Sequence, residues 1–182
     1  MGWIILIVVI VVIALWLAST YNSLVQLRNS VKDQWAQIDV VLKRRADLIP
    51  NLVETVKGYA KHEKDTLEAV INARNKVVSA GNAADEMAAN NELSGALSRL
   101  FALTEAYPDL KANANFMDLQ NSLKDTEDKI SFSRQFYNDV VLKYKNKIEM
   151  FPSNIVASIF GFKPEPFFEA NDADREAPKV QF

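Results

Sequence analysis

The chain has 182 residues, and its 21 basic and 23 acidic side chains nearly balance. This balance argues against a nucleic-acid-binding surface, which is usually strongly basic. Because the sequence contains no cysteine, it offers no disulfide, no thiolate metal ligand, no thiol nucleophile and no lipid attachment through cysteine. No charged side chain occurs before Arg28, so an apolar appendage is expected to precede a water-facing domain.

The first predicted element is the uninterrupted apolar run at residues 2–18. As a helix, a run of this length reaches roughly 26 Å, slightly less than a hydrocarbon core of about 30 Å, and the polar residues that follow can extend it. Trp3 stands at one end of the run, and Trp16 with Tyr21 at the other, where interfacial aromatic side chains are expected. The sequence therefore predicts a transmembrane anchor over residues 1–20, with the lipid bilayer as its partner.

Two other interpretations of this run are a cleaved signal peptide and a buried helix. A signal peptide would normally carry Lys or Arg before the apolar run and a small-x-small cleavage site, whereas this run has no such basic residue and ends in Trp-Leu-Ala. A buried helix of a soluble protein would need apolar neighbours on every side. Basic side chains follow the run at Arg28 and Lys32, which favours a cytoplasmic domain and a single-pass topology.

Past the anchor, apolar residues recur every three or four positions, which is the period of an amphipathic helix. No turn signal separates the anchor from residues 19–45, so the anchor and the first helix are expected to form one continuous rod. The prediction is an all-α protein in which the transmembrane helix continues into an antiparallel bundle of about four long helices. The apolar repeats occupy residues 24–49, 53–77, 87–104 and 116–151, within a bundle domain over residues 21–168 that precedes a polar, flexible tail over residues 169–182.

The stretch "KRRADLIPNLVE", residues 43–54, places three basic side chains and a proline inside this pattern. Proline lacks the backbone N–H that a helix interior requires, so a helix is expected to end just before it. Basic side chains suit the last turn of one helix, and an aspartate can cap the next. An alternative is that the basic residues bind phosphate or anionic lipid. The predicted corner consists of Lys43, Arg44 and Arg45 at the end of one helix, Asp47 as the cap, and Pro50 in the first turn of the next helix.

Three charged residues, Arg74, Glu127 and Arg134, fall inside the apolar repeats. They indicate either a buried charged site that binds a ligand or ion pairs that fix the register of the helices. We favour the second interpretation, in which the three residues pair with one another or with Glu54 or Glu105.

The segment at residues 151–168 carries more apolar surface than a tail usually has. Pro152 is expected to end the fourth helix, and Ser153 to cap a short helix that stops at Gly161. The segment either folds back over the end of its own bundle or forms a docking surface for a second subunit or the membrane interface. The candidate docking residues are Ile155, Ile159, Phe160 and Phe162.

Several motifs in the chain resemble those of one protein family. They are "YN" just after the anchor, "RRADLIPNL", "EAYPDLKA", "SRQFYN" and "FPSN", in that order along residues 21–168. This set is similar to the motifs of the LemA family of bacterial membrane proteins. The resemblance implies a single N-terminal span in the bacterial inner membrane, a bundle of long helices and no established catalytic activity. The chain departs from the family pattern at Lys145, and it lacks the lipidated cysteine of some relatives.

The residues favour a membrane-anchored, non-enzymatic scaffold or adaptor whose helical faces bind a second copy, a partner membrane protein or the bilayer. The family resemblance adds a membrane protease as a partner. The alternative is a hydrolase that uses carboxylates, but the sequence has one histidine, no histidine pair at metal-binding spacing and no glycine loop for phosphate. We therefore predict no catalytic, cofactor-binding or metal-binding residue, and no nucleic-acid partner.

Overall fold

The computed structural model of the protein describes residues 1–169, and the predicted tail over residues 169–182 lies outside them except for Glu169. Six helices and no strand occur in the described range, so the all-α prediction is confirmed. Four of the helices are long and two are short. The helices are α1 (Gly2–Tyr59), α2 (Lys64–Ser79), α3 (Ala83–Thr104), α4 (Pro108–Lys111), α5 (Ala114–Glu149) and α6 (Ser153–Ile159).

Helix α1 runs without interruption from the apolar run into the charged part of the chain. The prediction of one continuous rod is therefore confirmed. Residues 1–16 are exposed along their whole length, in contrast to the core helix of a soluble protein. This part of α1 is long and apolar enough to cross a membrane, with a mean hydropathy of 2.8 over 18 residues.

The predicted corner at residues 43–50 is wrong, because α1 continues through it. Pro50 lies in the interior of the helix with its ring exposed, while the side chains around it point into an apolar core. The continuous apolar face of α1 therefore outweighs the signal of the proline. Lys43, Arg44 and Arg45 do not end a helix, Asp47 does not cap one, and the buried neighbours of Pro50 are Ile49, Leu52 and Val53.

The hydrogen bond that Pro50 cannot make is replaced from another helix. Proline has no N–H to donate to the carbonyl oxygen four residues earlier, which is that of Ala46. The Nε–H of Arg74, on α2, donates to this oxygen across 3.4 Å. Because Ala46 is buried, its carbonyl needs a partner from within the protein, and Arg74 supplies it.

Helix α1 ends at Tyr59 instead, and the chain turns over residues 60–63 before α2 begins. The predicted second helix, residues 53–77, is therefore divided between α1 and α2. The apolar period continues across this turn, because Ala60 and Leu67 are both buried. Spacing alone therefore does not reveal the break.

The described residues form two compact units. Unit 1 consists of residues 1–36 and 135–167, and unit 2 consists of residues 37–134 with Phe168 and Glu169. Both α1 and α5 contribute to each unit. Helices α2, α3 and α4 belong to unit 2, and α6 belongs to unit 1.

In unit 1, the early part of α1 pairs with the late part of α5 in antiparallel order. The Trp35 ring contacts the Tyr137 ring, with 5.8 Å between their centroids. The Tyr21 ring contacts Phe160, which follows α5 in the chain, with 4.8 Å between centroids. As the residue number on α1 decreases from 35 to 21, the residue number of its partner increases from 137 to 160. Buried side chains of this unit include Leu24, Val31, Val141 and Tyr144.

In unit 2, the amphipathic faces of α1, α2, α3 and α5 surround one apolar core. Burial of each large side chain contributes about 1.5–3 kcal/mol relative to an exposed one, which stabilises helices that would be marginal alone. Asn82 and Asn113 cap α3 and α5, since their side-chain oxygens accept backbone N–H groups at 2.9 and 3.0 Å. The core includes Ile49, Leu52 and Val56 of α1, Val70 of α2, Leu93, Leu97 and Leu100 of α3, and Phe116 and Leu123 of α5.

The short helix α6 is joined closely to the end of α5. The prediction that Ser153 caps α6 is wrong, because Ser153 is the first residue of that helix. Its hydroxyl lies 2.7 Å from the carbonyl oxygen of Lys147 and 2.9 Å from that of Met150, where it serves the C-terminal end of α5. Gly161 follows α6 with a φ of +70°, and the next N–H, of Phe162, donates back to Ala157 at 2.9 Å. This is a glycine-terminated helix end, as the sequence predicted.

Candidate functional site

The aromatic residues predicted to mark the ends of the anchor have different surroundings. Trp3 and Trp16 are exposed, with 80% and 38% of their surface accessible. Tyr21 is held between two rings, since its centroid lies 4.8 Å from that of Phe160 and 5.7 Å from that of Phe162. The role of these side chains in anchoring the protein to lipid stays a prediction.

The three consecutive basic residues of α1 do not form one cluster. Lys43 is exposed and forms an ion pair of 2.6 Å with Asp39, one helical turn earlier. Arg44 is exposed, whereas Arg45 turns into the interior of unit 2 and is 3% accessible. A common phosphate or lipid site for the three side chains therefore has no geometric basis, because the helix separates them by about 100° per residue.

Arg45 is the centre of a buried polar cluster that joins three helices. Its Nη1 lies 2.6 Å from the Glu127 carboxylate on α5, and it donates to Asn90 and Ser94 on α3 at 3.1 and 2.9 Å. Burial lowers the pKa of the Arg45 guanidinium, and the Glu127 carboxylate opposes this change. The arginine nevertheless stays charged at neutral pH, because its ordinary pKa is far above that range.

The charged residues that the apolar repeats contained are partnered, but not with one another. Glu127 pairs with Arg45, Arg74 donates to the Ala46 carbonyl, and Arg134 lies over the Phe168 ring at 4.7 Å from its centroid. The predicted pairing among the three, or with Glu54 or Glu105, is therefore wrong. The partners come from backbone and aromatic groups as well as from acids, which apolar spacing does not indicate.

A pair of carboxyl groups from two helices forms a second polar feature of unit 2. Glu86 on α3 lies close to Asp39 on α1, in an open pocket that Lys43 and Arg74 also line. Burial raises the pKa of Glu86 to about 7, and the neighbouring Asp39 carboxylate adds to the increase. Glu86 therefore holds a proton over much of the weakly acidic range.

The segment after α5 presents apolar side chains to the outside. Ile155, Ile159 and Phe160 are exposed, whereas Phe162 is buried against Tyr21 and under the Arg28 guanidinium, which lies 5.1 Å from its ring centroid. The structure thus places three of the four predicted docking residues on the surface and one in the interior. Docking at this surface stays a prediction.

Unit 2 also contains an open groove of about 680 Å³ between α1 and α5. Val41 and Phe132 line it together with Asp128 and Lys129, and Phe132 is 63% exposed. This groove and the Asp39–Glu86 pair were not expected from the sequence. Each combines residues from two helices that are distant in the chain, so no local motif signals it.

Among residues 1–169, no group of three or more His, Cys, Asp or Glu side chains is arranged to hold a metal ion. The two polar features of unit 2 described above, the arginine-centred cluster and the carboxyl pair, join helices to one another.

Comparison with known proteins identifies relatives along most of the chain. Magnetosome protein MamQ 2 of Paramagnetospirillum magneticum is 25% identical over 179 residues, an alignment that covers 84% of this chain and 66% of that protein. Magnetosome protein MamQ of Magnetospirillum gryphiswaldense shows the same identity and coverage. The chain therefore spans just under two thirds of the length of these magnetosome relatives.

A third relative carries the family name that the sequence motifs indicated. Protein LemA of Metamycoplasma hominis is 25% identical over 158 residues, which cover 85% of this chain and 71% of that protein. The model of the LemA family matches residues 34–182, well over half of the chain. The chain belongs to the LemA family.

Proposed function

We propose that the protein is a single-pass scaffold of a bacterial inner membrane that has no catalytic activity and associates with a second copy of itself. The observation that carries this proposal is the open groove between α1 and α5. One of its two walls is α1, the helix that also contains the candidate membrane span. Membership of the LemA family supports the membrane association, because that family consists of membrane proteins.

The groove has the properties of a surface that receives another helix. Phe132, which lines the groove, is 63% exposed, and a large apolar side chain in such a position favours a partner that covers it. Asp125 and Asp128 lie on the same helix as Lys129. Across a two-fold axis, Lys129 of one copy can face these aspartates of the other, so the surface is complementary to itself.

The test is photo-crosslinking of the full chain in native membranes. A photoreactive amino acid in place of Phe132 should give a product of twice the monomer mass. The matched control is the same substitution at Met117, which is also apolar, exposed and on α5, and it should give no such product. A product of another mass, for example with a membrane protease, would replace self-association by a different partner, and no product at Phe132 would exclude this groove.

The bundle is placed on the cytoplasmic side in this proposal. The support is the pair of basic residues, Arg28 and Lys32, that follow the apolar run. Because the chain has no cysteine, Asp47→Cys creates a single labelling site at an exposed position. A membrane-impermeant maleimide should modify it only after the cells are opened, and modification in intact cells would reverse the orientation.

The hydrolase alternative has one observation in its favour, which is the raised pKa of Glu86 beside Asp39. Two carboxyl groups with different proton affinities are the usual requirement for acid–base catalysis. Here, however, the Asp39 carboxylate is already engaged in an ion pair of 2.6 Å with Lys43, and no nucleophile accompanies the two carboxyl groups among the described residues of their pocket. We therefore rank this function second.

A further inference from the structure

The segment from residue 150 to residue 162 has no charged side chain and lies between Glu149 and Lys163. Its inner face is already used, since Val156 and Phe162 are buried in unit 1. Its outer face is exposed and mostly apolar, apart from Asn154 and Ser158. We name this outer face the α6 patch, and it consists of Met150, Phe151, Ile155, Ile159 and Phe160, which are between 47% and 80% accessible.

Contacts within unit 1 fix the level of the α6 patch along the anchor helix. The Phe160 ring lies 4.8 Å from the Tyr21 ring, measured between centroids. Burial on α1 begins just before this point, because Leu17 is half-buried and Thr20 is buried, whereas residues 1–16 are exposed. The patch therefore lies beside the last turn of the apolar run.

The length of the apolar run places the same level at the edge of the hydrocarbon. Residues 2–18 of α1 reach roughly 26 Å, whereas a hydrocarbon core is about 30 Å thick. A span that starts near Trp3 and fills this thickness ends close to Tyr21, roughly 27 Å further along the helix axis. The last few ångströms of the hydrocarbon are then next to the α6 patch rather than next to α1 alone.

We propose that the α6 patch inserts into the boundary region of the bilayer, where its five apolar side chains contact acyl chains beside the membrane-crossing part of α1. This inference rests on the proposed membrane anchor. Bilayer burial of these side chains stabilises the inserted form by the same transfer free energy as any other apolar burial. Lys147 and Lys163 lie close to the patch in the chain, and basic side chains near a membrane surface suit lipid phosphates.

The bilayer is a better occupant of the patch than a second copy of the chain. The patch is continuous with a surface that lipid already covers, because Tyr21 connects it to the apolar run. No side chain within residues 150–162 is charged, so the segment offers a second protein chain no ion pair of its own.

Site-directed spin labelling of the full chain in phospholipid vesicles tests the proposal, and the lack of native cysteine makes single labels possible. Ile159→Cys and Ile155→Cys place labels on the patch one helical turn apart. Val9→Cys reports on the span. Leu142→Cys is the matched control, because it is apolar, half-exposed and on α5 in unit 1, roughly 12 Å along that helix from Met150.

Labels on the patch should collide with oxygen several times more often than the Leu142 label, and less often with a water-soluble nickel complex, as the Val9 label does. Equal collision rates at Ile159, Ile155 and Leu142 would reject the insertion. Protection of both patch labels from oxygen and nickel alike would also reject it, because protein rather than lipid would then cover them. If the Val9 label itself reported water, the membrane anchor of the proposed function would fail as well. Circular dichroism of each labelled chain verifies the fold.

Discussion

At Pro50, the backbone of α1 contains a carbonyl group, that of Ala46, for which the helix offers no N–H. An unpartnered carbonyl in a buried position costs about 1–3 kcal/mol. Arg74, 28 positions away from Ala46 in the chain, offsets this cost by donating to the oxygen across 3.4 Å. The proline and the arginine are therefore expected to be energetically coupled.

This coupling can be measured by a double-mutant cycle at Pro50 and Arg74. Arg74→Ala should lower the free energy of unfolding by about 1–3 kcal/mol, because it leaves the Ala46 carbonyl without a donor. In a Pro50→Ala background the same change should cost less, because residue 50 then supplies the N–H. Urea unfolding of the detergent-solubilised chain, followed by circular dichroism, gives the four values.

Arg99→Ala is the matched control, because the Nε–H of Arg99 also donates to a backbone carbonyl, that of Gly95, at 3.3 Å. Its effect should be the same with and without Pro50. If Arg74→Ala costs the same in both backgrounds, Arg74 does not compensate for the proline.

Glu86 makes the stability of unit 2 dependent on pH. Its pKa of about 7 in the folded chain exceeds the ordinary value of 4.5, so the folded state binds more protons than the unfolded state between these values. The free energy of unfolding should therefore fall as pH rises from about 4.5 to 7 and be independent of this group above that range. Glu86→Gln should remove this part of the dependence, whereas Glu68→Gln, at an exposed position of α2, should leave it in place. An unchanged pH profile in Glu86→Gln would contradict the assignment.

At the scale of helices, Arg45 joins α1 to α3 and α5 through a single side chain. Its ion pair with Glu127 has the same length, 2.6 Å, as the exposed pair between Lys76 and Glu92. The two pairs differ in their surroundings, because the Arg45 side chain is 4% accessible and that of Lys76 is 60% accessible. Removing a partner should therefore matter more in the first pair, where the remaining charge stays buried.

Glu127→Leu should lower the free energy of unfolding by roughly 1–3 kcal/mol, which is less than for a fully buried pair because the Glu127 side chain is 38% accessible. The matched substitution, Glu92→Leu, should cost less than about 1 kcal/mol. Adding Arg45→Met to Glu127→Leu should recover stability, because no unpaired charge then remains in the interior. Thermal unfolding of the unchanged chain, the two single variants and the double variant measures these changes in stability. Equal losses in the two single variants would show that burial of Arg45 does not increase the cost of losing its partner.

At the scale of the whole chain, α1 contains the segment that is long and apolar enough to cross a membrane and also contributes to each compact unit. Every residue up to position 16 is exposed, and Leu17 is the first residue of α1 that the rest of unit 1 partly covers. The folded part of the protein therefore starts within the apolar run and not at its end.

Removal of residues 1–16 should consequently leave the rest of the fold intact, because these residues are exposed and no other part of the protein buries them. The shortened chain should leave the membrane fraction on washing with alkaline carbonate and keep its helical circular dichroism spectrum. Removal of residues 1–21 is the comparison, since it also deletes the buried Thr20 and the ring contacts of Tyr21. This second deletion should lower the melting temperature, and equal stability of the two shortened chains would contradict the boundary at position 16.

Much of this architecture follows from sequence patterns. The three-to-four spacing of side chains such as Ile38 and Leu42 identifies the buried face of α1, because helical geometry alone determines which residues share a face. Pro50 misled the prediction because the residue that compensates for it lies on another helix. The turn at residues 60–63 was missed because it contains neither glycine nor proline and keeps the apolar period.

The polar features were less predictable for a related reason. Arg45 and Glu127 are recognisable as charges within apolar repeats, but spacing along one helix does not identify a partner on another. The closeness of Asp39 and Glu86 depends on how α1 and α3 pack, and no motif precedes it. Tertiary contact, which is absent from single-chain periodicity, therefore determines these sites.

Because α1 has no break after the apolar run, it is a continuous helix that resists twisting. Each residue of an α-helix rotates the side-chain direction by about 100° about the axis and adds about 1.5 Å along it. The rotational orientation of the apolar run about the helix axis is thus coupled to that of the α6 patch. This coupling determines which side of the apolar run could face a neighbouring protein in a membrane. One extra residue inserted before Leu17 would rotate the preceding part of the apolar run by more than a quarter turn relative to the α6 patch. The length of the run would be almost unchanged.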